Sequence, residues 1–124
     1  MKTNKNLSTN MENYLEAMLL LQQEHGHAHI KDIAEKLQIK MPSVTEALRK
    51  LKKSGLVNYA QYSSVTLTGQ GRRIANKLLS RHQILFNFLH NILRVDKKTA
   101  EKDACQIEHV ISRQAIKKIS RRFT

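Results

Sequence analysis

The chain has 124 residues, with 22 Lys and Arg against 10 Asp and Glu, giving a formal net charge of +12. Hydrophobic residues make up 40%, enough for a core, while one Pro and four Gly exclude a collagen-like or linker-rich chain. The longest apolar run, Ala17 to Leu21, is far short of the roughly 20 residues that cross a bilayer, and the polar start Met1 to Asn10 has no apolar signal region. The expectation is therefore a cytoplasmic protein, with no membrane partner, of one domain or two small subdomains.

In chain order, Tyr14, Met18 and Leu21 with Leu15 and Leu19 predict a first helix over about residues 8 to 24, with Gly26 as its stop. Ile30, Ile33, Ala34 and Leu37 predict a short second helix, followed by a turn at Gln38 to Met41. Val44, Ala47, Leu48 and Leu51 predict a third, opened by Pro42, whose missing N–H needs no partner in the first turn. Ser43 and Glu46 have the spacing of a capping box and offer an alternative start, and Gly55 suits a left-handed stop. The pattern then alternates over Leu56 to Tyr59 and Val65 to Thr68, as in a two-stranded hairpin. Helix, helix, turn, helix, hairpin is the order of a winged helix-turn-helix. Thr68 can cap a fourth helix running to about Leu93, Asp96 a fifth, and Ser112 a sixth carrying Ile116, Ile119 and Phe123. The fold class is mainly α.

The apolar set of the third helix leaves Lys40, Ser43, Thr45, Glu46, Arg49, Lys50 and Lys53 for the turn and the remaining faces. That suits a recognition helix for double-stranded DNA, with short polar side chains in the first turn and later basic residues for phosphates. Tyr62, between the two strands, joins these residues as a DNA contact of the wing. Any one of them would also fit a solvated surface, and Glu46 suits either a cytosine amino group or the cap. Their pairing with a short helix and a hairpin favours DNA.

Cys105, the single cysteine, cannot form an internal disulfide, which fits a reducing compartment. With Glu108 and His109 it stands at i, i+3 and i+4 on the predicted fifth helix, so thiolate, carboxylate and imidazole share a face. Asn13 and Glu16 are also at i, i+3 on the first helix, and His82 lies within the apolar face of the fourth. Carboxylate and amide oxygens suit Mn2+ and Fe2+, and a thiolate favours softer ions such as Fe2+, Zn2+ or Co2+. Singly, Cys105 fits a small buried hydrophobe, His82 a core histidine and Glu16 a solvated charge.

Three stretches, Met11 to Ala17, Pro42 to Leu48 and Ala104 to Ser112, closely resemble the diphtheria toxin repressor and manganese transport regulator family. Leu67-Thr68-x-x-Gly71 and Arg81-His82 match in the same order, so the resemblance covers roughly residues 7 to 123. It implies a homodimeric, metal-activated transcriptional repressor, with a DNA-binding winged helix-turn-helix over residues 1–71 and a helical dimerisation and metal-binding domain over residues 72–124. The sequence stops where iron-type members continue into an SH3-like domain, so the expected architecture is more similar to the manganese branch. The family's metal ligands fall on Asn13, Glu16, His82, Cys105, Glu108 and His109.

The departures matter too. Asn13 replaces the aspartate of the manganese type and supplies no charge, and Cys105 follows the iron type. Phe86 and Glu101 replace a glutamate and a histidine of the iron type's ancillary site, and Ser63-Ser64 replaces the usual Arg-Gly of the wing. The last helix is basic, with Arg113, Lys117, Lys118, Arg121 and Arg122, where the family is acidic.

The reading that follows is a homodimeric repressor of metal-uptake genes that binds a double-stranded DNA operator in response to Mn2+ or Fe2+, with Zn2+ or Co2+ also accepted in vitro. In it the metal pins the first helix to the helices carrying His82 and Cys105. A winged-helix regulator that has lost metal control is the alternative, favoured by Asn13 and Phe86. A metal-dependent hydrolase using Glu16 or Glu108 as base has no nucleophile, oxyanion device or phosphate-cradling loop behind it, so no enzyme is expected.

Overall fold

A computed structural model of the protein describes residues 7–59 and 64–123. Helix α1 (Thr9–His25) starts where the Ser8 side chain accepts from Met11 N at 3.1 Å, and Gly26 ends it in the left-handed region at φ 82°. Helix α2 (Ile30–Leu37) and helix α3 (Met41–Lys53) are joined by a tight turn. Gln38 opens that turn at φ 56°, and Ile39 N donates to Ala34 O at 3.0 Å. A non-glycine residue there costs roughly 1–2 kcal/mol, held in place by the two helices it joins.

At the start of α3 the proline sets the boundary. Lys40 precedes the helix without a side-chain cap bond, and Pro42 occupies its first turn. Ser43 is therefore already inside the helix, and the alternative capping box does not form. The Glu46 carboxylate instead accepts from Arg49 Nη1 at 2.8 Å.

Strands β1 (Val57–Asn58) and β2 (Thr66–Leu67) pair antiparallel, Val57 opposite Leu67 and Asn58 opposite Thr66. They are shorter than the apolar alternation predicts. An isolated bridge between Ala28 and Val65 adds the segment after α1 to the hairpin, with Val65 N donating to Ala28 O at 2.7 Å. The expected DNA contact Tyr62 lies outside the described residues, as does Ser63.

Thr68 closes the hairpin and opens helix α4 (Gly69–Asn87). Its hydroxyl donates to Gly55 O at 2.8 Å and accepts from Gly71 N at 3.1 Å. A Cβ on Gly71 would fall on the Leu56 carbonyl, so only glycine lets the first turn of α4 approach this closely. Helix α4 continues as a π-helical turn over Phe88–Ile92. The extent expected from sequence, to about Leu93, is thus helical, but the last turn is widened, with Leu93 N donating to Phe88 O at 3.0 Å. Helix α5 (Lys97–Ile107) is capped by Asp96, whose Oδ2 accepts from Thr99 N at 3.0 Å, a bond that holds its carboxyl below the usual range. Helix α6 (Arg113–Phe123) starts where Ser112 Oγ accepts from Ala115 N at 3.0 Å.

The chain divides into two compact units, residues 1–76 and 77–124. The first is built around Leu15, Met18, Ile33, Val44, Leu48, Leu51, Leu56 and Val65, all essentially without exposure. Each such side chain contributes roughly 1.5–3 kcal/mol. In the second, Leu85, Ala104 and Ile116 are buried together under Ile84, Phe86, Leu89, Ile107, Ile111 and Ile119. Among the described residues no helix is long and apolar enough to cross a membrane.

Candidate metal centre and nucleic-acid interface

Helix α5 ends sooner than its donor spacing suggests. Its last residue is Ile107, Glu108 is the right-handed cap with its N–H on Ala104 O at 3.0 Å, and His109 stands in the turn that follows. Arg81 fastens that turn. Its Nη1 donates to Glu108 O at 3.3 Å and to Ile111 O at 3.2 Å, filling carbonyls that a helix end leaves open.

The Glu108 side chain is completely buried. A buried carboxylate is tolerable only when it is paired or holds a metal. Here half of it is paired: Oε1 is 2.7 Å from His82 Nδ1. Among the described residues none donates a hydrogen bond to the other oxygen, Oε2, although His109 Nε2 lies 3.6 Å away. The far edge of the His82 ring reaches a second carboxylate, with Nε2 2.9 Å from Glu101 Oε2. The Glu108 hydrogen bond and the charges of both carboxylates outweigh burial and push the imidazole up to about 9. Around neutral pH His82 is therefore a cation donating to both carboxylates.

His82, Glu108 and His109 thus stand together in the second unit. Cys105 belongs to the same unit but is exposed, so it does not share the buried environment of Glu108. Asn13 and Glu16 lie one turn apart on α1 in the first unit. A buried, unsatisfied carboxylate oxygen with two imidazoles beside it fits a divalent cation, which would supply the positive charge missing at Oε2. Phe86 stacks on His90 with ring centroids 5.2 Å apart, so this position serves packing.

On α3, Val44, Ala47, Leu48 and Leu51 are buried, and Lys40, Ser43, Glu46, Arg49, Lys50 and Lys53 are exposed. Ser43, Glu46 and Lys50 line a groove of about 400 Å³ with Asn10, Met11 and Tyr14 of α1. Thr45 is half-buried, and its hydroxyl donates back to Met41 O at 3.2 Å. Lys52, which the sequence reading passed over, lines a second groove of about 490 Å³ with Val57, Asn58, Tyr59 and Ser64 of the hairpin. The sequence names Arg81, His82 and Glu101 but gives no sign of the Arg81 hold on the turn after α5 or of the His82–Glu101 pair, since each joins residues far apart in the chain and leaves no local spacing to read.

Residues 6–65 match the family model for the iron-dependent repressor N-terminal DNA-binding domain, and residues 68–124 that for the iron-dependent repressor metal-binding and dimerisation domain. Over 109 residues the chain is 41% identical to the HTH-type transcriptional regulator MntR of Shouchella clausii, covering 88% of this chain and 76% of that one. It is 35% identical to an HTH-type transcriptional regulator of Methanocaldococcus jannaschii, MJ0568, covering 91% of both chains. Among solved structures it resembles a manganese-dependent transcriptional repressor in complex with manganese, with a TM-score of 0.83, 29% identity and 91% of this chain covered. The manganese regulator SloR follows at 0.80 and 27%, with 93% covered. The chain spans about half the length of these two solved chains, 52% and 54%.

Proposed function

The chain belongs to the iron-dependent repressor family of metal-dependent transcriptional repressors, and on that footing we propose that it is a homodimeric repressor of metal-uptake genes, responsive to Mn2+ or Fe2+. The observation that carries the metal reading is the buried Glu108 carboxylate with Oε2 unsatisfied between His82 and His109. Asn13 and Glu16 of α1 and Cys105 of α5 complete the proposed ligand set, on the strength of the family motifs they match. The manganese named for the two solved relatives supports Mn2+, and the carboxylate and amide oxygens suit it; the Cys105 thiolate is the one donor that leans towards Fe2+.

In this reading the chain's own groups do three things. Arg81 holds the turn after α5 by its carbonyls, so the Glu108 carboxylate and His109 ring are fixed before any ion arrives. His82 would offer Nδ1, the nitrogen on the Glu108 side, to the cation, its proton there passing to solvent. The exposed set Lys40, Ser43, Glu46, Arg49, Lys50 and Lys53, with Thr45 beside it, meets operator DNA, the cations on phosphates and the first turn nearer the bases. Regulation is then bounded by how much better the DNA-competent dimer holds metal than the incompetent one.

One observation favours the alternative, constitutive DNA binding without metal control: protonated His82 already neutralises Glu108 at 2.7 Å. Fluorescence anisotropy of operator DNA at fixed salt separates the two readings. Addition of Mn2+ to chelator-treated protein tightens binding under the proposal, whereas equal binding with chelator and with Mn2+ establishes the alternative.

A further inference from the structure

Glu101 and Glu108 are seven residues apart, two helical turns along the α5 stretch, and they face opposite edges of one imidazole. The stretch is held rigidly: Asp96 caps its start, and Ala100 and Ala104 have no exposed surface. The two carboxylates differ in setting. Glu108 is wholly buried, whereas the Glu101 side chain is 61% exposed. The buried edge, Nδ1, is the one that shares its surroundings with the unsatisfied Glu108 Oε2.

A metal-binding histidine uses one nitrogen for the ion and needs a partner for the N–H of the other, which fixes the tautomer and the ring's orientation. We infer that Glu101 is a positioning residue for His82: it accepts from Nε2–H at 2.9 Å and thereby commits Nδ1 to the ion. The inference rests on the reading that His82 and Glu108 are metal ligands. Glu101 is not itself a ligand in this arrangement, because it sits on the edge of the ring away from Glu108. It also gives this position a use that its departure from the iron-type histidine does not suggest.

The test compares the full chain with Glu101→Ala, Glu101→Gln and Glu108→Gln. Alanine at an exposed helical position keeps the helix, since it has the highest helix propensity. Mn2+ alone is titrated into each protein, and imidazole 15N shifts are recorded after loading with Zn2+, which is diamagnetic. Glu101→Ala is expected to lower affinity about tenfold, the low end for removing such a partner. Glu101→Gln retains most of the affinity, because its amide oxygen still accepts from Nε2–H. Zn2+-loaded protein shows His82 protonated at Nε2 and unprotonated at Nδ1. Unchanged affinity in Glu101→Ala, equal losses in the Ala and Gln variants, or an ion on Nε2 would each overturn the inference while leaving the metal site standing. If Glu108→Gln titrates like the unaltered chain, the metal site itself is wrong.

Discussion

Arg81 donates to the backbone carbonyl of Glu108 at 3.3 Å, while the next residue, His82, donates to the carboxylate of the same glutamate at 2.7 Å. Two consecutive residues of α4 thus hold the residue that caps α5 by its main chain and its side chain. This double hold keeps a buried carboxylate in place just past a helix end.

The first prediction follows from the hold. Arg81→Met keeps the apolar stem and removes the donors, leaving the carbonyls of Glu108 and Ile111 without this partner. Charge-assisted bonds of this kind contribute about 1.5–3 kcal/mol, so the urea midpoint should fall. Mn2+ affinity should fall with it, as the turn carrying Glu108 and His109 loosens. A variant with unaltered midpoint and affinity would show that the turn holds itself.

The second concerns pH in metal-free protein. His82 is raised from 6.5 to about 9 on folding, so the folded state binds its proton more tightly than the unfolded one. Its contribution is fully present below about pH 6.5 and is lost as pH rises through about 9. Urea denaturation in chelator should show declining stability across that window, and His82→Gln should flatten the decline. Mn2+ affinity should move the opposite way, rising with pH, because the ion displaces a proton from Nδ1.

The third concerns Asn13, the uncharged member of the proposed ligand set. Asn13→Asp adds a full negative charge and a harder oxygen, so Mn2+ affinity should rise. Calorimetric titration checks it, and flat or weaker binding would remove Asn13 from the set.

The fourth concerns α3. Lys53→Ala should weaken binding to operator and random DNA alike and reduce the slope of log affinity against log salt by about one. Arg49→Ala should do less, since the guanidinium already bonds Glu46 at 2.8 Å. Thr45→Ala should instead narrow the gap between operator and random sequence. If Thr45→Ala leaves that ratio untouched while Arg49→Ala changes it, the base-facing and phosphate-facing sides of α3 are reversed.

How much of this could be read from the sequence depended on how local each signal is. Asp96, Ser112 and Thr68 cap the helices that follow them, as their positions before apolar-periodic runs indicate. The hairpin was legible in place but not in length, because alternation continues past the residues that pair. Ser43 and Glu46 carried a valid cap spacing that Pro42 overrode by starting the helix earlier. Helical spacing placed Cys105, Glu108 and His109 on one face, but burial does not follow that spacing: Cys105, inside α5, is exposed, whereas Glu108, at its cap, is buried. The partners of His82 were not legible as a pair, since Glu108 and Glu101 lie 26 and 19 residues from it and meet it only in the folded chain.

The central claim is that Glu108 holds a regulatory divalent cation in its buried carboxylate. Equilibrium Mn2+ binding to the unaltered chain and to Glu108→Gln, at one pH and salt, tests it most directly. Gln keeps the shape and can still accept from His82, so the difference isolates the charge. Saturable Mn2+ binding by the unaltered chain, lost in Glu108→Gln together with the Mn2+ dependence of operator binding, is the predicted result. Matching isotherms for the two proteins would contradict the account.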